Sequence, residues 1–511
     1  MEARTPLISI VLAVGAAWSH ADWPTTLGDP LYVGALNNAF DERAAIAGDD
    51  DGSVWLAWQN NYCVGDVLLQ RVGLDGGLLS PDGLAIQDDP TCGFHLPPLL
   101  IPMGGSAIAS RASSSLQTTP IQRFDLLGNA VWSPSYSTNG SEWLGEGAKL
   151  AGGDVLIVAQ DGGDLHADRL SPDGDRVWAA PSVFSSEAGS NFRVLDIAPQ
   201  PDGGAVLVWD SHLAYTKLIR AMRINADGSL AWAAPVRMTD VNPNTTSSRH
   251  TRPSVIPDGE GGALVFFARG FEAGTTPAPL LMQRIRQDGT LGFSFDATRV
   301  SLGSDRQFDP IAFLDETSGD AVVVWRDGLF DGQMIRAQRI GIDGQRRWGD
   351  EGIGIGAIDL ATGSFDAILV DGQLRVVIGG NDGITVSRFD DDGHAVGSAI
   401  TVAAETPSSF AKIARSGGGS VVAWQIDVPG TVDDELVAVR INSLGILGPE
   451  PCNGADLLPD GRLDFFDVSA FLSRFSAQEP AADFNGDGVF DFFDVSAFLG
   501  AFHAGCPELI S

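Results

Sequence analysis

Lysine is almost absent from this chain: only Lys149, Lys217 and Lys412 occur among its 511 residues. Aspartate and glutamate number 66 against 32 lysines and arginines, which gives a formal net charge of -34. A surface of this sign repels nucleic acid and anionic membranes, so we expect neither as a partner. Such a surface suits saline or calcium-rich surroundings, where ions screen its self-repulsion.

Long apolar runs and recognisable catalytic motifs are also missing. Beyond the first residues, no segment approaches the roughly 18 uninterrupted apolar residues of a membrane helix, so we predict no transmembrane segment. No Gly-x-Ser-x-Gly elbow, His-Glu-x-x-His pair or phosphate-binding glycine loop occurs. The sequence therefore offers no ready-made set of catalytic residues.

Cysteine is scarce, with four residues and no Cys-x-x-Cys spacing, which argues against a thiol-bound metal. Cys452 and Cys506 bracket a duplicated segment at the C-terminus, so a bridge between them would clasp the ends of a small domain. Cys63 and Cys92 would form a second bridge within the larger part of the chain. Disulfides fit an exported protein.

The N-terminus has the pattern of a secretory signal peptide over residues 1–21. A short segment with Arg4 is followed by an apolar run and then by Ser19, His20 and Ala21, a small-x-small cleavage site. We therefore expect a protein that is secreted or attached to the cell surface.

The duplicated segment covers residues 456–467 and 483–494, and each copy leads into the same sequence, Val-Ser-Ala-Phe-Leu. The second copy has oxygen-bearing side chains at loop positions 1, 3, 5, 9 and 12, with Gly488 at position 6. Calcium needs six to eight oxygen ligands in a tight loop, and this is the EF-hand arrangement. We expect residues 451–511 to form a small helical calcium-binding domain.

Two such loops, each followed by one helix and with no entering helix, resemble a type I dockerin over residues 452–506. The resemblance implies calcium ligands in the second loop at Asp483, Asn485, Asp487, Asp491 and Asp494, with the Val489 carbonyl. In the first loop it implies Asp456, Asp460, Asp464 and Asp467, with the Arg462 carbonyl. Leu458 replaces the usual ligand at position 3 of the first loop, so we expect this site to bind calcium more weakly.

Both copies carry a Phe-Phe pair at loop positions 10 and 11: Phe465 and Phe466, then Phe492 and Phe493. In the dockerin family these positions meet the partner, a cohesin domain. We therefore predict a partner-binding face for a cohesin-like or other cell-envelope protein. The alternative is that some of these phenylalanines fill the core of the small domain.

Residues 22–450 contain eight copies of the pattern Arg-φ-x-x-x-Gly, where φ is apolar, and most copies follow a Gly-rich turn and a Val-rich strand. The arginines are Arg71, Arg123, Arg169, Arg223, Arg284, Arg339, Arg388 and Arg440. Four strands in each of these units predict an all-β fold, a β-propeller of about eight four-stranded blades, with seven blades as the alternative. Residues 31–36 could supply the missing fourth strand of the last unit. The array loosely resembles secreted bacterial propellers, a group with no single activity.

Repetition of a residue in every blade indicates a structural role. We therefore predict that the arginines make contacts between blades or cap turns. Polar residues that open the inner strands would instead ring the central channel. Asp41, His95, Asp309 and Asp366 are the weak catalytic candidates, and Arg193 and Arg252 could bind a ligand such as a glycan or peptide. The alternative is that all six are solvated loop ends. A phenylalanine precedes five of the six, and we interpret these phenylalanines as a packed collar around the channel: Phe40, Phe94, Phe192, Phe308 and Phe365, with Phe410 at the matching place of the last unit.

Three functions remain open on these grounds. The first is a non-catalytic exported propeller, displayed through its calcium-dependent C-terminal module. The second is a polysaccharide-degrading hydrolase or lyase carried on the same module, with its site on the channel face. The third is a structural component of a surface layer. Fold alone does not decide among them.

Overall fold

The chain forms a ring of eight four-stranded antiparallel sheets, followed by two helices. The computed structural model describes residues 23–26, 30–37, 44–59, 67–87, 98–110, 120–133, 136–137, 143–161, 163–185, 195–213, 216–238, 251–268, 279–303, 306–328, 333–358, 363–380, 382–404, 410–427, 433–458 and 461–506. Consecutive sheets are the blades of a β-propeller. The predicted propeller is confirmed with eight blades, and the seven-bladed alternative is wrong.

Strand β1 (Leu31–Asn37) precedes the first blade. The first four blades contain, in order, β2 (Ala45–Gly48), β3 (Val54–Gln59), β4 (Val67–Val72) and β5 (Leu84–Gln87); β6 (Leu99–Pro102), β7 (Ala107–Ser110), β8 (Pro120–Phe124) and β9 (Tyr136–Ser137); β10 (Trp143–Lys149), β11 (Val155–Asp161), β12 (Asp164–Leu170) and β13 (Ser182–Ser185); and β14 (Leu195–Pro199), β15 (Ala205–Leu213), β16 (Thr216–Ile224) and β17 (Val236–Arg237).

The last four blades contain β18 (Thr251–Pro257), β19 (Ala263–Ala268), β20 (Leu280–Ile285) and β21 (Thr298–Arg299); β22 (Gln307–Leu314), β23 (Ala321–Asp327), β24 (Met334–Ile340) and β25 (Ile353–Ala357); β26 (Ser364–Val370), β27 (Gln373–Gly380), β28 (Gly383–Phe389) and β29 (Ile400–Ala404); and β30 (Lys412–Ser416), β31 (Gly419–Asp427) and β32 (Asp433–Ile441). Each first strand contacts the first strand of the next blade, and β30 contacts β2, so the first strands surround the axis of the ring.

The N-terminal segment closes the ring. Strand β1 pairs antiparallel with β32, from Leu31 opposite Ala438 to Asn37 opposite Asp433, and so provides the fourth strand of the eighth blade. This is the closure that the sequence predicted. Because the first and last parts of the chain share one sheet, opening the ring requires breaking this ladder.

Tryptophans link neighbouring blades, an arrangement that no sequence pattern predicted. In four blades the indole N–H donates to a backbone carbonyl of the next blade's Asp-Gly hairpin: Trp132 to Pro172, Trp178 to Ala226, Trp232 to Gln287 and Trp348 to Asp391. The indole also packs beneath the hairpin glycine, as Trp232 does at Gly289, where φ is +83°. We call these side chains the inter-blade tryptophans.

The eighth blade lacks an inter-blade tryptophan, and Trp23 takes that place. Trp23 is 2% exposed, and its indole N–H donates to the carbonyl of Leu74 in the first blade's hairpin at 3.0 Å. Leu74 occupies the same position of its hairpin as Gln287 does in the fifth blade. The N-terminal segment therefore closes the ring by a strand and by a tryptophan.

The repeated arginines hold turns and neighbouring blades, as predicted. In five blades the guanidinium pairs with a carboxylate of the turn between the blade's own first and second strands, as Arg71 does with Asp51 and Arg169 with Asp154, both at 2.7 Å. Several also donate to a carbonyl of the next blade, for example Arg169 to Ala226 at 2.8 Å. A paired charge can be buried at lower cost than an isolated one.

The C-terminal part contains helices α1 (Phe465–Ser476) and α2 (Phe492–Ala504), with a short 3-10 turn at Pro480–Ala482. Phe471 and Phe498 stack with ring centroids 4.1 Å apart and are 1% exposed. They form a small core with Ala455, Leu457 and Ala482. The predicted disulfide between Cys452 and Cys506 is present, whereas Cys63 and Cys92 lie outside the described residues.

Candidate functional site

The second C-terminal loop, residues 483–494, is shaped by its own acidic side chains. The Asp483 carboxylate accepts hydrogen bonds from the three backbone N–H groups of residues 486–488, at 2.8 to 3.1 Å. Asn485 Oδ1 accepts from the N–H of Asp487, and Asp487 Oδ1 accepts from that of Val489. Side chains 1, 3 and 5 of the loop therefore fold back onto its backbone.

The twelfth residue closes each loop in the same manner. Asp467 and Asp494 are buried; one carboxylate oxygen accepts from the N–H of loop residue 3 and the other from that of loop residue 9. The N–H groups of Asp491 and Asn485 hold the pKa of Asp494 below its usual range. Loop residue 9, Asp464 or Asp491, also caps the following helix. Both loops thus share one framework.

The first loop departs from this framework at its start. Asp456 is 6% exposed and accepts from the N–H groups of Cys452 and Gly461, at 2.8 and 3.0 Å. Leu458 presents an apolar side chain at position 3, where the second loop has Asn485. Asp460 lies outside the described residues. The first loop therefore has one side-chain ligand fewer to offer.

The donor set of the second loop fits calcium chemically, because it consists of carboxylate, amide and carbonyl oxygens without nitrogen or sulfur. In the part of the chain with described side chains, no three His, Cys, Asp or Glu residues are grouped as a metal site. In the second loop the carboxylates instead turn to backbone N–H groups. Two calcium sites, the first the weaker, stay a prediction.

The two Phe-Phe pairs lie on the surface. Phe465, Phe466, Phe492 and Phe493 are 76%, 63%, 74% and 66% exposed. Leu472 and Leu499, two helical turns further along, are exposed as well. The core of this part is built by other phenylalanines, among them Phe471 and Phe498. The repeated pairs form two similar apolar surfaces, which we call the Phe-Phe faces.

The predicted channel residues fall largely outside what the structure describes. Asp41, His95 and Arg193 lie in segments without described structure, and for Arg252 only the backbone in β18 is described. Asp309 lies in β22 at a register irregularity, with φ +53°. Asp366 lies in β26, with its carboxylate 4.0 Å from Nζ of Lys412 in the next blade.

Two of the predicted collar phenylalanines, Phe308 and Phe365, flank the guanidinium of Arg326. Its central carbon is 5.8 Å from the ring centre of Phe308 and 5.7 Å from that of Phe365, within the range of a cation–π contact. Arg326 also donates to the carbonyl of Gly363 at 3.0 Å. Phe365 therefore contacts Arg326 across the junction of the sixth and seventh blades, whereas Phe308 contacts it within the sixth blade.

A set of polar residues around the axis went unnoticed in the sequence. In each blade the repeated arginine pairs with a residue of the second strand, and the second-strand residue two positions further along pairs with one residue of the first strand. These first-strand residues lie at the same level in all eight blades. We call them the channel ring. Its members are Ala45, Leu99, Glu146, Asp196, Ser254, Ile311, Asp366 and Lys412. Five of these eight are polar, on a strand whose position near the axis favours small or apolar side chains.

Most polar members of the channel ring bond to the next blade's first strand. Asp196 accepts from the N–H of Val255 at 2.8 Å, Ser254 from that of Ala312 and Asp366 from that of Ile413. These N–H groups lie on the inner edge of a sheet, where no strand can pair with them. This pattern is structural, since it satisfies backbone donors around the axis.

Glu146 differs from the other members. Its carboxylate accepts from the N–H of Gly147 in its own strand. Burial, with the charge of Asp196 in the next blade, raises the pKa of Glu146 to about 7. Burial also raises the pKa of Asp196 to about 6, although two backbone N–H groups favour its charged form. Two neighbouring carboxyl groups that titrate near neutral pH can act as an acid and a base.

Comparison with known proteins finds only distant similarity. No family model and no curated protein matches the chain. Among solved structures, the Dos1 propeller is 10% identical with a TM-score of 0.46, covering 80% of this chain and 95% of its own. The polysaccharide lyase Uly1 is 9% identical with a TM-score of 0.42, covering 66% of this chain and 89% of its own. An alpha-L-arabinanase of Penicillium chrysogenum complexed with arabinobiose is 15% identical with a TM-score of 0.36, covering 57% of this chain and 91% of its own.

Within the described residues, neither helix is long and apolar enough to cross a membrane.

Proposed function

We propose that this chain is a non-catalytic β-propeller that is exported and then displayed on a cell surface or an extracellular complex. In this proposal residues 1–21 direct export and residues 451–511 act as a dockerin-like attachment module that folds around calcium. The propeller is what the module displays, and its channel end offers a surface for a glycan or peptide. The partner is a cohesin-like domain or another protein of the cell envelope.

The exposure of the four repeated phenylalanines carries this proposal. Each is more than half exposed, while the core beside them is complete without them. Exposing an aromatic ring gives up the roughly 1.5–3 kcal/mol that its burial would contribute. Repeating that loss four times in so small a module is consistent with a protein-binding surface, because aromatic side chains supply much of the energy of such interfaces.

Calcium would hold this surface in place. Loop residues 10 and 11 carry the phenylalanines, and they lie between the proposed ligands at positions 9 and 12. Asp491 and Asp494 are proposed ligands, and together they also cap the first turn of α2. An ion bound by these carboxylates would fix the direction in which Phe492 and Phe493 point. Binding of the partner should then depend on calcium.

A binding assay with the full chain tests the proposal. The immobilised protein is exposed to a panel of purified cohesin domains, with calcium or with a chelator. We expect at least one cohesin to bind in calcium and to be lost when all four phenylalanines are replaced by serine. The matched control replaces four exposed apolar residues of propeller hairpins, Leu126, Leu127, Leu444 and Ile446, by serine. Equal binding by the phenylalanine variant, or binding that ignores calcium, would refute the attachment role.

A polysaccharide-degrading enzyme is the second candidate, and the channel ring favours it. Glu146 and Asp196 have the raised pKa values that favour acid and base catalysis of glycoside cleavage by a carboxyl pair. The test is product formation from a panel of acidic and neutral glycans. Activity that disappears in Glu146→Gln, but persists in Asp366→Asn, would establish this candidate. No product from any glycan would dismiss it.

A further inference from the structure

An unusual group of arginines lies between the seventh and eighth blades. Residue Arg375 of β27 is directly opposite the repeated arginine of its own blade, Arg388 of β28. In the other seven blades the residue opposite the repeated arginine is apolar: Trp55, Ile108, Leu156, Val206, Leu264, Val322 and Val421. Two like charges directly opposite each other destabilise a sheet, so this substitution calls for a compensating partner.

A third arginine joins them from the next blade. Arg440 of β32 is 0% exposed and Arg375 is 3% exposed. Burial lowers the pKa of Arg375 to about 10, and the neighbouring charges of Arg388 and Arg440 act in the same direction. We call Arg375, Arg388 and Arg440 the arginine cluster.

The protein supplies too little negative charge to this cluster. Glu450 pairs with Arg440 at 2.7 Å and also accepts from Ser443, and it remains partly exposed. Asp371 instead pairs with the exposed Arg415. Arg375 donates to neutral oxygens, Oγ of Ser420 and the carbonyl of Gly418. Three cations near one bound carboxylate leave an excess of two positive charges, in a chain whose net charge is -34.

Each arginine of the cluster also keeps a buried N–H group without a hydrogen-bond partner in the described part of the chain. These groups are Nε of Arg375, Nε of Arg388 and one terminal nitrogen, Nη1, of Arg440. A buried donor without a partner is costly, and more so when it is charged. Nearly all buried donors in native proteins are satisfied, so three from one cluster indicate a missing acceptor.

Arg388 is the partly buried member of the cluster, and it lies on the side where an inter-blade tryptophan is missing. Gly397 occupies the position that holds Trp132, Trp178, Trp232 or Trp348 in other blades, and it is exposed. The guanidinium of Arg388 lies beneath the hairpin glycine of the eighth blade, where a Cβ on Gly445 would be 2.2 Å from its central carbon. Arg388 is only partly buried, so a small ligand can reach the cluster past Gly397.

We propose that the arginine cluster binds a doubly charged tetrahedral oxyanion of the sulfate or phosphate class. Such an anion balances the two excess charges and has acceptor oxygens enough for all three free N–H groups. Guanidinium groups are well suited to it, because their planar forks match the spacing of oxyanion oxygens. The bound anion joins the seventh blade to the eighth, at the place where four other blades use a tryptophan. This site is separate from the channel ring and from the Phe-Phe faces.

The test compares the full chain with the variant Arg375→Val, which restores the residue found at this position in three other blades. Thermal unfolding and calorimetric titration are measured with sodium sulfate or sodium phosphate against sodium chloride, at constant ionic strength and pH. We expect the wild-type Tm to rise with sulfate or phosphate until it saturates. The variant should bind the anion at least tenfold more weakly and unfold at a higher temperature in chloride.

A matched control separates a specific site from general salt effects, since sulfate and phosphate stabilise most proteins weakly and without saturation. Arg284→Val removes a repeated arginine whose charge is paired with Asp258. It should lower the Tm in chloride yet keep the saturable response. A response of equal size in the wild type and in Arg375→Val, or none in the wild type, would overturn the proposal. Should Arg375→Val fail to fold, Arg388→Gln provides the same comparison.

Discussion

The propeller and the C-terminal module both repeat an aromatic side chain, and they place it in opposite environments. Four blades bury a tryptophan against the hairpin of the next blade, and Trp23 does the same for the eighth blade. The module exposes all four members of its repeated Phe-Phe pairs.

This difference shows what repetition does and does not indicate. A residue that recurs at a contact between repeats serves the array, and substituting it should weaken the fold. A residue that recurs on the surface contributes little to the fold, so its recurrence is better explained by recognition. The first two of the three predictions that follow test this distinction, and all three are ordered from the largest expected effect.

Trp232→Ala should destabilise the propeller by about 3–5 kcal/mol, the usual cost of deleting a buried large aromatic side chain. The substitution removes the indole from beneath Gly289 and its hydrogen bond to Gln287. Phe492→Ala, at a residue that is 74% exposed, should change stability by no more than about 0.5 kcal/mol. Urea unfolding followed by tryptophan fluorescence and by circular dichroism measures both. Similar losses from the two substitutions would remove the contrast between the regions.

Trp23→Ala tests whether the N-terminal tryptophan is equivalent to the others. Because its indole is buried and bonds to Leu74, we expect a loss of about 3 kcal/mol. The measurement is again urea unfolding, together with hydrogen exchange of β1 and β32. Faster exchange in these two strands, relative to the fifth blade, would locate the opening at the predicted closure. An effect below about 0.5 kcal/mol would show that strand pairing alone closes the ring.

Glu146→Gln should alter the dependence of stability on pH. The folded-state pKa of about 7 lies above the ordinary value for glutamate, so the folded state holds this proton more tightly than the unfolded state. The stability that this provides is present at low pH and is lost as pH rises from about 4 to 7. Above pH 7 the variant should be more stable than the wild type by about 3 kcal/mol.

Unfolding midpoints in urea between pH 4 and pH 8 measure this effect, and Asp173→Asn in an exposed hairpin is the control. A variant that follows the wild-type profile throughout would contradict the assignment of Glu146 as a buried carboxyl group that keeps its proton near neutral pH.

The architecture of the propeller could be predicted because its signals are local and recur. Each Arg-φ-x-x-x-Gly pattern ends a third strand and starts a hairpin, so eight patterns gave eight blades. The closure by β1 followed from a missing strand in the last unit. Trp23 was not recognised, because its partner Leu74 lies in another part of the chain and no pattern connects the two.

The channel ring and the arginine cluster could not be predicted, because each depends on register between strands. Asp366 was selected as the opening residue of an inner strand, and it does lie in the ring. Glu146 and Asp196 reach the same level only through the pairing of β10 with β11 and of β14 with β15. Arg375 looks ordinary in a strand until its partner is found to be Arg388.

Calcium titration of the full chain by calorimetry tests the central claim most directly, with Asp483→Ala and Asp456→Ala as matched variants. We predict two unequal sites in the wild type. Asp483→Ala should abolish the tighter one, and Asp456→Ala should abolish the weaker one and retain the tighter. The absence of calcium binding, or binding that neither substitution alters, would contradict the account of residues 451–511 as a calcium-folded attachment module.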